Sequence, residues 1–142
     1  MPQEILAPAA LLIVWSIVML VWMAATRFPA MAKIGSGVGA AKPGARGQDL
    51  EGRIPDSVNW KAHNYTHLME QPTLFYAVVA ILAIVGPTAD QVIAAWIYAV
   101  LRIAHSLWQA LVNTVPVRFL LFLTSTSALA YLAVRALLVT LA

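Results

Sequence analysis

The sequence predicts an all-α integral membrane protein, a bundle of four transmembrane helices. Three observations carry that prediction. Hydrophobic residues make up 61% of the 142-residue chain and charged residues 11%, well under the roughly 25% charged residues of a soluble domain. So little charge cannot cover a water-facing surface. Four apolar stretches, about 5–26, 62–85, 89–112 and 117–142, each approach the ~20 residues a helix needs to cross ~30 Å of hydrocarbon. Alternation of period two, which would mark a transmembrane β-strand, is absent. The length allows one domain covering the whole chain.

The first stretch is preceded by Glu4 and by no basic residue, so it does not read as a cleaved signal peptide. The polar loop 27–61 follows, with Arg27, Lys33, Lys42, Arg46, Arg53 and Lys61. Its glycines do not form a phosphate loop, which needs a strand before it and a helix after it. The loop reads instead as a flexible linker. In the second stretch Pro72 removes the hydrogen bond to the Leu68 carbonyl and is expected to kink the helix there. The Gly86-Pro87-Thr88 turn carries no basic residue, whereas the Asn113-Thr114-Val115-Pro116 turn is followed by Arg118. Basic residues therefore favour the first and third connections, which places them in the cytosol and both termini outside. Turns this short force neighbouring helices antiparallel. Trp22 and Trp60 fall where interfacial belt residues are expected, and Trp15, Trp96 and Trp108 read as packing or lipid-facing.

The net charge of +3 is concentrated in one loop, so it speaks of membrane topology. Nucleic acid is excluded as a partner, and membrane lipid is expected as one. Zero cysteines exclude disulfides, thiolate metal sites and thiol nucleophiles. The Asn64-Tyr65-Thr66 triplet matches a glycosylation site, but it falls at the cytosolic edge of a helix, and no sugar is expected there.

Ionisable side chains inside membrane helices are costly, so each is a functional hypothesis. His63, His67 and Glu70 recur at i, i+4 and i+7 on one face of the second helix. Tyr98, Arg102, His105, Gln109 and Asn113 form a polar stripe along the third. At 1.5 Å per residue, Glu70 and His105 lie roughly 12 Å below the cytosolic face and Arg102 roughly 16 Å. Arg27 and Arg118 close the same layer from the first and fourth helices. The simplest partner for Glu70 is Arg102, because an adjacent guanidinium lets a buried carboxylate stay ionised. That pair alone could be inter-helix glue. With His105, Gln109, Arg118 and Arg27 at one level, it becomes a candidate site for a polar or anionic ligand. A metal on His63, His67 and Glu70 has suitable spacing, but Arg102 and Arg118 would repel a divalent cation, and no metal is expected. A proton or ion relay through His63, His67, Glu70 and His105 is a further reading.

Three segments carry a family resemblance: His63-Asn64-Tyr65-Thr66-His67-Leu68-Met69-Glu70-Gln71-Pro72, Arg102-Ile103-Ala104-His105-Ser106 and Pro116-Val117-Arg118. With the four helices and long first loop, they resemble the MAPEG family, the membrane-associated proteins in eicosanoid and glutathione metabolism. His67 stands where the family has a helix-two asparagine, Gln109 where it has a tyrosine, and arginines expected on helix two are absent. Bacterial members look most similar, which implies a multi-pass protein of the inner membrane. The resemblance implies a homotrimer that binds glutathione as cosubstrate in the cytosolic leaflet. Glu70 would contact the glutathione amine. Arg27, His67, Arg102, His105 and Gln109 would complete the binding site, with Arg118 stabilising the thiolate. The function it implies is a glutathione-dependent transferase or peroxidase acting on a lipophilic electrophile or hydroperoxide. The alternative is a non-catalytic subunit of a larger membrane complex or a lipid-binding scaffold, for which Ala24-Ala25, Ala94-Ala95, Ser125 and Ser127 allow close helix contact.

Overall fold

A computed structural model describes residues 2–142, and the described residues contain helices and turns but no strand. α1 spans Pro2–Lys33, α2 Asp56–Leu68, α3 Pro72–Val85, α4 Ala89–Leu111 and α5 Val115–Leu141. Short 3₁₀ turns at Val38–Ala40 and Gly47–Leu50 punctuate the first loop. The helices form four spans long and apolar enough to cross a membrane, because α2 and α3 follow one another along a single span, Asp56–Val85.

Two boundaries differ from the hydropathy reading. α1 continues past Thr26 to Lys33, carried by the good helix formers Ala30, Met31 and Ala32. It stops where Gly35 takes φ +67°, a left-handed conformation that costs glycine little. α2 begins at Asp56, where Pro55 blocks earlier helix and Asp56 puts a carboxylate at the positive helix end. The α2 extension is largely polar and the α1 extension is bounded by Arg27 and Lys33 with Pro29 between, so hydropathy alone passes over both. The loop proper is thus residues 34–55.

Pro72 does more than kink the second span. α2 ends at Leu68, and the helix restarts with Pro72 in its first turn, the position where a missing N–H costs nothing. Met69, Glu70 and Gln71 form the break between them.

α4 lies at the centre, in contact with α1, α2 and α5. Its buried face holds the polar stripe together with Ala94, Ala95, Ala99 and Ala110; small residues here let backbones approach closely where no water drives association. The apolar core gathers Ile5, Leu12, Met19, Phe75, Val79, Leu82, Leu129 and Leu132. Phe75 stacks on Tyr98 with ring centroids 4.3 Å apart. Trp15, expected only to pack or face lipid, donates from its Nε1 to Ser106 Oγ at 3.0 Å and ties α1 to α4. Truncating Phe75 to alanine is expected to cost about 2–3 kcal/mol in detergent. That is below the ~3–5 kcal/mol of a water-soluble core, because separated helices keep apolar surroundings and mainly the cavity is lost. A thermal midpoint equal to wild type would contradict this packing role.

Candidate functional site

The polar stripe of α4 is buried: Tyr98, Arg102, His105 and Gln109 all face the bundle interior. Each sits there because α4 repeats polar residues at three- and four-residue intervals, one helical face. Arg102 is fully buried. Its Nη2 donates to the His67 carbonyl at 3.3 Å and approaches His67 Nδ1 at 3.2 Å. A guanidinium cannot accept, so the Nδ1 contact is a hydrogen bond only if Nδ1 is unprotonated, and the ring proton then sits on Nε2. That Nε2 faces Glu70 Oε2 at 3.9 Å.

The expected Glu70–Arg102 pair does not form. Because α2 ends at Leu68, Glu70 falls in the break, its side chain is 61% exposed, and His67 stands between the two. At the break the His67 carbonyl takes both the Glu70 N–H at 3.3 Å and the Arg102 guanidinium. Arg102 is left without a carboxylate within 4 Å among the described residues, and its Nε and Nη1 have no hydrogen-bond partner.

His67 divides two openings. An open cleft of about 570 Å³ is lined by Arg27, Glu51, His63, His67, Glu70 and Gln109 among others. A smaller hollow of about 190 Å³ is lined by His67, His105, Arg118, Phe119 and Phe122. The structure therefore brings Arg27, Glu70 and Gln109 to one side and His105 and Arg118 to the other, with Arg102 beneath. His67 and His105 stack with centroids 5.1 Å apart. Arg118 Nη1 donates to Asn113 Oδ1 at 2.6 Å; Asn113 adopts φ +58° in the α4–α5 turn, a region asparagine tolerates better than most residues.

Sequence reasoning missed Phe122. Its ring lies 5.5 Å from His67, 6.2 Å from His105 and 5.8 Å from the Arg102 guanidinium. The signal was available, since Phe122 follows Arg118 by four on one face of α5. Gln71 was also missed: it accepts from Tyr98 at 3.3 Å and donates to Thr126 at 2.9 Å, joining the break to α4 and α5. His63 lines the same cleft as His67 and Glu70, but its Nε2 is taken by Glu51 Oε1 at 2.7 Å. Among the described residues no three histidine, cysteine or acidic side chains gather closely enough to hold a metal ion.

Arg27 spans the gap between α1 and the loop, donating from Nη2 to the Gly47 carbonyl at 2.9 Å. A Cβ on Gly47 would come within 2.6 Å of Arg27 Nη1. Gly47→Ala is therefore expected to displace the guanidinium, the mobile end of a long side chain, with little loss of stability. Any ligand affinity that depends on Arg27 should fall several-fold, and titration beside a thermal melt checks both halves.

A four-span membrane bundle with a buried arginine beneath two openings, each lined by a further arginine, defines a class of helical membrane protein that holds polar groups below its surface. Comparison with protein families matches residues 5–138 to the MAPEG family, and the chain belongs to that family. The match specifies the family and no bacterial subgroup. Comparison with curated proteins gives no match, and comparison with solved structures gives none. The family includes glutathione transferases and peroxidases as well as non-catalytic members.

Proposed function

We propose that the protein binds glutathione at the layer around His67 and joins its sulfur to a lipophilic electrophile, or uses its thiol to reduce a lipophilic hydroperoxide, drawn from the bilayer. One observation carries the reading: Arg102 is a fully buried guanidinium with unpartnered Nε and Nη1 and no carboxylate beside it. A buried charge without a counter-ion is costly, and an anionic ligand supplies the missing partner. Arg27 and Arg118 extend the positive layer to either side. Guanidinium forks suit the two carboxylates of the tripeptide, and the exposed Glu70 carboxylate suits its ammonium. His105 and Gln109 add neutral hydrogen-bonding capacity.

Arg118 takes the catalytic role. An arginine beside the glutathione sulfur favours the thiolate over the thiol and so raises the nucleophile population. Asn113 holds that guanidinium in place. The hollow beside Arg118 is flanked by Phe119, 62% exposed, and by Phe122, a lining an apolar electrophile can share with lipid. MAPEG proteins are commonly trimers, and we assign this chain the same state, a homotrimer whose neighbouring copy closes the open side of the cleft. The basic loop 34–55 is assigned to the cytosol by the positive-inside rule, the side from which glutathione arrives.

Calorimetric titration of the purified protein with glutathione tests the reading. Saturable binding in the millimolar range or tighter supports it. Absence of binding in two detergents, with the protein folded and trimeric, overturns it in favour of a non-catalytic role.

A further inference from the structure

The loop carries charge that the glutathione layer does not use. Between α1 and α2 it folds into a cup of about 680 Å³ lined by Arg27, Lys42, Arg46, Arg53 and a single acid, Asp49, together with apolar residues such as Met31, Val38 and Leu50. Asp49 is occupied in accepting the Arg46 backbone N–H at 2.8 Å. The other loop acid, Glu51, is held by His63 at 2.7 Å. The cup therefore has four cations against one committed carboxylate. Arg53 donates to Ser36 at 2.6 Å, which joins the two halves of the loop across the cup. The Lys42 and Arg46 side chains are exposed and make no hydrogen bond or ion pair among the described residues.

Its position is equally informative. The apolar run of α1, 5–26, is roughly 33 Å long at 1.5 Å per residue, the thickness of the hydrocarbon core. Arg27 consequently marks the hydrocarbon edge, and the cup beyond it stands at the level of phospholipid phosphates. Phe28 at 55% and Val38 at 70% exposure add apolar side chains on the same segment, as interfacial anchoring requires. Four or more basic residues directly beyond a membrane helix attract anionic headgroups, each contributing separately.

We propose that the 34–55 loop is a binding site for a phosphate-bearing anion, and that the anion is the headgroup of an anionic phospholipid, gripped by Lys42, Arg46 and Arg53. The site is distinct from the His67 layer and touches it through Arg27 and Gly47, which line both cavities. Its occupancy fixes the loop against the membrane surface and holds Gly47, and through it Arg27, in place.

The test uses the full-length protein in neutral detergent, titrated with dioctanoyl phosphatidylglycerol, dioctanoyl phosphatidylcholine and inorganic phosphate, with native mass spectrometry and thermal melting as readouts. Saturable binding of phosphatidylglycerol in preference to phosphatidylcholine, weakened by salt, is expected. The K42Q/R46Q double variant should lose roughly thirtyfold in apparent affinity; both side chains are exposed, so its helical circular dichroism should match wild type. A K42E single variant, which reverses a charge at the rim, gives a second reading and should also weaken binding. Equal affinity for the two lipids, or affinity unchanged in both variants, overturns the proposal. Inorganic phosphate raising the melting temperature as far as phosphatidylglycerol, and competing with it, overturns the lipid assignment in favour of a soluble phosphate.

Discussion

Replacing Arg102 with methionine is expected to lower glutathione affinity by about tenfold to a hundredfold while leaving the ligand-free protein as stable as wild type, or more so. Two effects compete in the empty protein. The substitution deletes the Nη2 hydrogen bond to the His67 carbonyl, a net loss of about 1–2 kcal/mol. It also removes a fully buried charge that has no carboxylate beside it, and exchanging buried ions for well-packed apolar groups is often neutral or stabilising by about 1–4 kcal/mol. The second effect matches or exceeds the first because Nε and Nη1 are unpartnered in any case. In the bound state the balance reverses. One charge-assisted hydrogen bond to a carboxylate contributes about 1.5–3 kcal/mol, and each ~1.4 kcal/mol is a factor of ten in affinity. Calorimetry and thermal melts in the same detergent separate the alternatives. A lowered midpoint with unchanged affinity would make Arg102 a strut between α4 and α2 and remove the main support for an anion site.

The polar stripe of α4 was legible because its spacing is local. Residues 98, 102, 105 and 109 share a face in any helix, and a face so polar must turn away from lipid. The four spans were legible for the same reason, since lipid selects composition over ~20 residues at a time. What the sequence concealed lay where a single proline decides between a bend and a break. A kinked but continuous second helix would have kept Glu70 on the face of His63 and His67, within reach of Arg102. The full break at Met69–Gln71 turns Glu70 outward and leaves His67 as the group that meets the guanidinium. Depth arithmetic along a straight helix cannot anticipate that. The separation of Arg27 from Arg118 by His67 is likewise a matter of how helices rotate about their axes, which packing determines. α1's passage through Arg27 to Lys33 escaped hydropathy because Arg27 and Pro29 read as a helix end, yet Ala30, Met31 and Ala32 carry the helix on. Family membership carries the fold with it, while the roles of individual residues rest on placement.

The second large effect concerns Arg118, at which substitution should act on the chemical step more than on binding. Arg118→Ala is expected to reduce kcat for conjugation of an aryl halide by about a hundredfold at pH 7, the order seen when one donor to a developing anion is removed. KM for glutathione should change little, because the carboxylate contacts assigned to Arg27 and Arg102 stay in place; a fall in kcat and kcat/KM together marks an interaction made in the reacting state. The pH dependence supplies a second, independent readout. A guanidinium near sulfur favours the thiolate and therefore lowers the bound thiol's pKa. Without it the pKa rises towards the ordinary thiol value of about 8.5. The variant's rate deficit should thus be largest at and below neutral pH and shrink as pH climbs through that value, whereas wild type should already be level there. Asn113→Ala removes the hydrogen bond that holds Arg118 at 2.6 Å without removing the charge, so its deficit should be smaller and its pH profile nearer to wild type. A profile for Arg118→Ala that parallels wild type at every pH, displaced only downward, would mean that Arg118 positions substrate and does not stabilise the thiolate. His67 and His105, which line the same hollow, would then be the remaining groups able to take that role.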